Sequence, residues 1–285
     1  MTESRISERG FTRAAVAFVL GLVVLVLIVV FFGRPLRRFV RESLMQRVTS
    51  AHYEILCPPG AMSQETMTQF ATQRESLFTA LDRKLGDADS NAEIQIIFDT
   101  DSPFPLETAS TPQPYNVSGT TIRTKLDGQI PQLDSAADAE ALLQTAWGKR
   151  GNKRIGQWTA IWLVGEWDGK ELGIAAAEVE QRIGHQKVAN LLDQPGGAIS
   201  PRDLALLGAA WVSEIAELAG PAEVRKLYST KMPNLTMAEV TNVLSTTPPE
   251  LERKWQMWIY AYVAGMPPMP HDSTMPMDMP MPGGH

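Results

Sequence analysis

The C-terminal end of the chain carries the residues whose type and spacing best suit metal chemistry. Six of the 13 methionines lie in segment 266–285, interleaved with proline and two histidines. Thioether sulfur is a soft ligand that suits Cu(I), and proline at this density prevents a helix or a central strand. The pattern predicts a disordered tail that binds Cu(I); a tail without metal function is the alternative. The candidate ligands are Met266, Met269, His271, Met275, Met277, Met279, Met281 and His285.

The remaining chemistry-bearing residues form no recognisable site. No two of the four histidines have the i, i+4 spacing that lets two imidazoles on one helix bind one zinc ion. Cys57 is the only cysteine, which excludes an intrachain disulfide and cysteine-rich zinc or iron–sulfur sites. With 32 acidic and 26 basic residues, the chain lacks the positive excess of a nucleic-acid binder. Nucleic acid is therefore not an expected partner.

The elements that would position functional residues fall into two groups. Ser63 is expected to cap a helix that stops at Gly86, and helical periodicity dominates from Ser135 onward. Alternating apolar residues predict strands at 52–57, 93–99 and 120–125. A small N-terminal β-sheet with a helix, followed by an all-helical half, is an α+β domain, which we place at residues 51–265.

The N-terminal region predicts a membrane anchor. Residues 14–33 lack charged side chains and, as a helix, would cross a hydrocarbon core of roughly 30 Å. A tail (1–13) precedes this single transmembrane helix, and a basic amphipathic segment (34–50) follows it. We therefore expect a single-pass protein of a bacterial-type inner membrane, with the bilayer and a membrane protein as partners. The arginine distribution favours a cytoplasmic domain, whereas the Met-rich tail favours the extracytoplasmic side, which we adopt.

The segment from Gly148 through Gly151, Gln157 and Trp158 to Gly165 resembles the second active-site helix of the gluzincin metallopeptidases, in the peptidase MA-like group. In that group the preceding helix carries HExxH, and the second helix supplies the third zinc ligand. The opening residues from His52 and the helix around 251–255 are similar to the group's first strand and closing helix. The resemblance implies a gluzincin-like arrangement over most of residues 51–263.

The chain departs from the group at the zinc ligands. It contains no HExxH, and the matching positions leave only Glu140 at the general base and Gln157 at the third ligand. The resemblance therefore implies a pseudopeptidase, not an enzyme, that acts in binding or assembly, such as an accessory subunit of a membrane complex. Two alternatives are a copper-handling protein that uses the tail and an active hydrolase with an unrecognised site.

Single residues in the domain also allow two interpretations. Glu140 is either a relic general base or a solvated surface charge, and His185 is expected to be an ordinary residue between helices. Four tryptophans either line an emptied cleft or pack in the core, and the core is the expected place. These are Trp147, Trp158, Trp162 and Trp211.

Overall fold

The computed structural model describes residues 42–86, 92–99, 115–126, 133–193 and 199–265. The strands are β1 (Gln46–Thr49), β2 (Tyr53–Cys57), β3 (Ile94–Asp99), β4 (Tyr115–Ser118), β5 (Thr121–Lys125), β6 (Glu166–Trp167) and β7 (Lys170–Glu171). The helices are α1 (Gln64–Lys84), α2 (Ser135–Ala146), α3 (Lys153–Val164), α4 (Leu172–Ile183), α5 (Val188–Asp193), α6 (Pro201–Ala219), α7 (Pro221–Ser229), α8 (Met237–Val243) and α9 (Pro248–Val263). The domain is α+β, as predicted.

The main sheet has five strands in the order β1-β2-β3-β5-β4. The three inner strands β2, β3 and β5 run parallel, whereas β1 and β4 pair antiparallel at the two edges. Helix α1 connects β2 to β3 and begins at Ser63, whose hydroxyl accepts a hydrogen bond from the Thr66 backbone N–H at 3.1 Å. In β3, Ile96 and Ile97 point to opposite faces and both are buried, so the sheet is covered on both sides there.

Helix α2 lies at the centre of the molecule. Every residue from Ala136 to Leu143 is buried, so this helix has no solvent-facing stripe. It packs against the sheet strands on one side and against α3 on the other. Helix α3 packs in turn against α6, where the Trp158 ring lies on Gly208. A buried central helix with polar residues is thus the natural place to look for a site.

Three parts of the fold differ from the sequence prediction. Strand β1 lies within segment 34–50, predicted to be amphipathic, and it pairs with β2, so the folded unit begins before residue 51. Strand β4 and the hairpin of β6 and β7 were not predicted either. These strands are short, and only Val48 of β1 and Val117 of β4 are buried, so the sequence carries little apolar alternation to reveal them.

The predicted transmembrane helix requires a correction. Its residues, 14–33, and the preceding tail lie outside the described residues. Within the ranges that are described, no helix combines the length and the apolar character needed to cross a bilayer. The described residues thus form an α+β domain in which the predicted single-pass helix is not found, and the inner-membrane assignment that depended on this helix has no support from them. The Met-rich tail, 266–285, also lies outside the described residues.

Candidate functional site

Two acidic residues lie on the central helix α2. Asp138 and Glu140 are two residues apart, so their side chains project about 200° apart around the helix axis. Asp138 is fully buried and Glu140 is 6% exposed. Because an unpaired charge in such surroundings is costly, the partners of these two acids decide what the helix can do.

Glu140 is paired with Arg150, which lies in the turn between α2 and α3. Both side chains are largely withdrawn from solvent, at 7% and 22% exposure. Gly156 on α3 leaves room for this arginine, since a Cβ at Gly156 would lie 2.5 Å from Arg150 Cδ. A guanidinium stays protonated at any physiological pH, so it holds the carboxylate as an ion pair. Glu140 is therefore neither a solvated surface charge nor a free base.

Gln157 lies half-buried on α3, the helix that packs against α2. The structure thus brings the two predicted relic positions onto adjacent helices, but the partner of Glu140 is Arg150. Among the described residues, no three His, Cys, Asp or Glu side chains lie close enough together to hold a metal ion. The predicted tail ligands lie outside those residues.

Asp138 belongs to a second buried network, with Arg74 of α1 and Tyr53 of β2. Arg74 donates to Asp138 Oδ2 at 2.8 Å and to the Leu133 carbonyl at 2.6 Å, and it lies over the Phe70 ring. Burial raises the pKa of Asp138, and the Arg74 charge opposes this rise. Burial, together with the nearby Asp138 charge, also raises the pKa of Tyr53.

This network is not fully satisfied. The Tyr53 hydroxyl and Asp138 Oδ1 are both buried, and neither makes a hydrogen bond of acceptable geometry within the described residues. Spacing along the chain does not reveal this network, because the pattern Ser135-x-x-Asp138 is typical of a helix cap. The N-cap of α2 is instead Asp134, whose carboxylate accepts from the Ala136 N–H at 2.9 Å. The feature of the sequence that could have indicated the network is an acidic residue, Asp138, inside an otherwise apolar helix.

The tryptophans follow the core-packing interpretation. Trp158 and Trp211 are buried and meet edge to face, with ring centroids 6.1 Å apart. Trp147 and Trp162 are half-buried and stack at 6.4 Å, and Trp147 also packs edge-on against Tyr228. The four tryptophans thus form two packed pairs, one between α3 and α6 and one between α3 and the residue after α2, and no open cleft is needed to explain them.

The glycines in the segment that resembles the metallopeptidase helix have local structural reasons. Gly148 adopts φ 83°, and its carbonyl accepts a hydrogen bond from the Tyr228 hydroxyl at 3.2 Å. Gly151 donates to the Tyr228 carbonyl at 2.7 Å, and a Cβ there would lie 1.9 Å from the Thr230 carbonyl oxygen. The turn between α2 and α3 is therefore shaped by close contact with the end of α7.

The two histidines within the described residues are each paired with a carboxylate on the nearest helix. His52 Nδ1 lies 2.7 Å from Glu75, and His185 Nδ1 lies 3.0 Å from Glu180. Burial raises the pKa of Glu180, although the hydrogen bond from the Gln186 N–H and the His185 interaction oppose this. His185 lies between α4 and α5, the inter-helix position that was expected for it.

A further buried acid lies in the helical half. Glu214 of α6 is 1% exposed, and its Oε2 has no hydrogen-bond partner within the described residues. Burial raises its pKa to about 8, and the charge of Lys254 on α9 only partly offsets this. Its neighbour Glu217 accepts a hydrogen bond from Trp258 Nε1 at 2.7 Å. This acid was not identified from the sequence.

One surface depression among the described residues contains none of these acids. It is shallow and carries no charged side chain in its lining. Its lining residues are Met237, Ala238, Thr241, Asn242, Ser245, Thr246 and Pro248.

Compared with known proteins, the chain matches no family model and is not significantly similar to any curated protein.

Proposed function

We propose that this domain is a non-catalytic relative of the gluzincin metallopeptidases and acts in binding or assembly. The observation that carries the proposal is the ion pair between Glu140 and Arg150. In the active members of the group, the equivalent glutamate must take a proton from a metal-bound water. Glu140, which the resemblance puts at that position, is already engaged by a permanent cation, so it is a poor proton acceptor.

The composition of the neighbouring positions supports the same proposal. Gln157 offers a neutral amide where the group has a carboxylate ligand, and the chain contains no HExxH. An amide is a weak ligand for zinc compared with a carboxylate or an imidazole. The residues around Glu140 therefore suit a stabilised scaffold better than a hydrolytic centre.

The test is made on the purified full-length chain. Bound zinc is measured by mass spectrometry, and hydrolysis of a mixed peptide library is followed with and without a chelator. We expect no stoichiometric zinc and no cleavage above background, with an authentic zinc peptidase as the positive control. Stoichiometric zinc together with chelator-sensitive cleavage would overturn the proposal. Cleavage that is insensitive to chelator but lost in E140Q would favour the hydrolase alternative.

A second candidate function, Cu(I) handling, is favoured by the methionine pattern of residues 266–285. The full-length chain is compared with a variant in which the six tail methionines become leucine, which keeps the bulk and removes the sulfur. We expect the parent to bind Cu(I) more tightly than the variant. The difference should persist at acidic pH, because a thioether has no proton to lose whereas imidazole must be neutral to bind. Equal binding by both proteins would refute the copper function.

A further inference from the structure

The last helix, α9, presents an exposed stripe on the side that faces away from the core. Its members are Arg253, Met257, Tyr260 and Ala264, which follow one another at intervals of four, three and four residues. Residues at these intervals lie on one side of an α-helix. All four are exposed, whereas the opposite side of α9 is buried in the helical core. We call these four residues the α9 stripe.

Two large apolar side chains of the α9 stripe are exposed. Met257 is 62% exposed and Tyr260 is 48% exposed. Among the described residues, the other exposed large hydrophobic side chains lie singly on separate elements, namely Leu44 before β1, Ile174 on α4 and Leu218 on α6. Single exposed apolar residues are normal on a protein surface, but two on one helix face mark a candidate contact surface.

Contacts with neighbouring side chains already hold the α9 stripe in place. Arg253 Nη1 donates a hydrogen bond to Met257 Sδ at 3.1 Å. The Tyr260 ring packs on the His185 imidazole, with the ring centroids 5.5 Å apart and the planes inclined at 33°. Since ordering a side chain on binding costs free energy, side chains that are held beforehand lose less of it. The stripe is therefore suited to bind without rearrangement.

The charges of α9 are concentrated in its first half. Glu250 pairs with Lys254 at 3.0 Å, and Arg253 lies between them along the chain. The last turn of α9 carries no basic side chain. The final carbonyls of a helix carry a partial negative charge, which a nearby cation stabilises. A second copy of α9 that ran antiparallel would place its Arg253 beside this turn and supply the cation.

We propose that the α9 stripe is the contact surface of a symmetric homodimer, in which two copies of α9 pack antiparallel about a two-fold axis near Met257. Along the helix, Tyr260 lies about 4.5 Å after this axis and Arg253 about 6 Å before it. The symmetry therefore brings Arg253 of one protomer to the Tyr260 ring and the last helical turn of its partner, where a cation is favoured. A parallel pair would instead set the two Arg253 side chains against each other.

The dimer should be weak and should not depend on the proposed function. One helix face per protomer buries less than the roughly 1,600 Å² of a standard stable interface, so we expect a dissociation constant on the order of 10–100 µM. The inference goes beyond the proposed function, because Glu140, Arg150 and Gln157 take no part in it.

Sedimentation equilibrium of the full-length chain, from about 1 µM to about 300 µM, measures the association. The test variant is M257E/Y260E. The matched control, L44E/I174E, adds the same charge outside the stripe at positions of similar exposure, 68% and 47%. We expect the mass of the parent to rise with concentration toward that of a dimer. M257E/Y260E should weaken association at least about tenfold, because like charges meet at the axis, and L44E/I174E should stay within about twofold of the parent.

Cysteine cross-linking tests the antiparallel arrangement. Residue 257 lies at the axis, so M257C should form a disulfide between protomers under mild oxidation, whereas the native Cys57 is buried. The two copies of residue 260 lie about 9 Å apart along the helices, beyond the Cα separation of about 7 Å that a disulfide allows. Y260C should therefore cross-link at least about tenfold more slowly than M257C.

Circular dichroism verifies that every variant is folded. A parent that stays monomeric at the highest concentration would overturn the proposal, as would equal loss of association in the two double variants or equal cross-linking of M257C and Y260C. Binding of the monomer to phosphatidylglycerol–phosphatidylcholine vesicles, if lost in M257E/Y260E, would assign the stripe to a lipid surface and overturn the dimer. These outcomes do not depend on the zinc and hydrolysis assays, so failure of the dimer and failure of the proposed function are distinguishable.

Discussion

Each buried acid of the central helix has its own arginine. Asp138 is held by Arg74 and Glu140 by Arg150, on opposite sides of α2. Buried ion pairs contribute little net stability, because the cost of removing both charges from water offsets their attraction. They do penalise every arrangement in which the charges are separated. The two pairs therefore fix how α2 is seated between the sheet and α3.

Replacing one partner of the deeper pair should be far more harmful than replacing both. Arg74→Met leaves Asp138 buried without its cation, and we expect the free energy of unfolding to fall by about 3–5 kcal/mol. The double variant R74M/D138L removes both charges and should recover most of this loss. Urea denaturation of the three proteins measures the difference. A double variant less stable than R74M would show that the pair contributes more than it costs.

The sequence identified Glu140 as a residue of interest but could not show its environment. Its environment depends on Arg150 and on the space beside Gly156, and neither follows from spacing along a helix. The other pair is harder to predict, since Arg74 and Asp138 are 64 residues apart in the chain. Tertiary packing decides which arginine forms an ion pair with which acid. Sequence patterns could therefore only indicate the acids.

At the scale of elements, local signals were informative where they were strong. The predicted cap at Ser63 accepts a hydrogen bond from the third residue of its helix, and Thr236 and Thr247, each in a Thr-x-x-Glu pattern typical of a cap, do the same. The alternating segments became β2, β3 and β5. The edge strands β1 and β4 were missed because pairing with a neighbour, not their own alternation, makes them strands.

The packing of α3 on α6 depends on a single glycine. A Cβ at Gly208 would lie 2.1 Å from Trp158 Cε2, in the middle of a buried ring that cannot easily move. Gly208→Ala should therefore lower the free energy of unfolding by about 1–3 kcal/mol through overpacking, despite the better helix propensity of alanine. Thermal denaturation measures this change.

A compensating variant identifies the cause. Trp158→Leu removes the ring, so G208A should cost less in the W158L background than in the parent. The two glycine-to-alanine costs are compared in one double-mutant cycle. If they are equal, the alanine acts through the helix itself and the close approach to Trp158 is irrelevant.

At the scale of the whole molecule, the buried carboxyl group of Glu214 should make the free energy of unfolding depend on pH. Its pKa rises from 4.5 to about 8 on folding because of burial, so the folded state holds a proton that the unfolded state releases. The stabilisation is fully present below pH 4.5 and is lost as pH rises to about 8. In that window this residue should lower the free energy of unfolding by up to about 1.4 kcal/mol per pH unit.

Urea titrations between pH 5 and pH 9 test this expectation. Glu214→Gln cannot ionise, so its stability should depend less on pH than that of the parent. Glu178→Gln, at an exposed position, is the control for the loss of one surface carboxylate. If the free energy of unfolding changes equally with pH in the parent and in E214Q, then Glu214 is ionised in the folded state and its charge is satisfied by Lys254.

The all-round burial of α2 also bears on how the protein is made. Tyr228 of α7 packs in the same cluster as Leu142 and the sheet residues, so the sheet-side core includes a residue far downstream. During translation the sheet and α2 leave the ribosome well before that tyrosine. Until it emerges, the part of this core that Tyr228 covers faces water or chaperones. The native fold therefore arises late in synthesis, and truncation before Tyr228 would yield an aggregation-prone fragment.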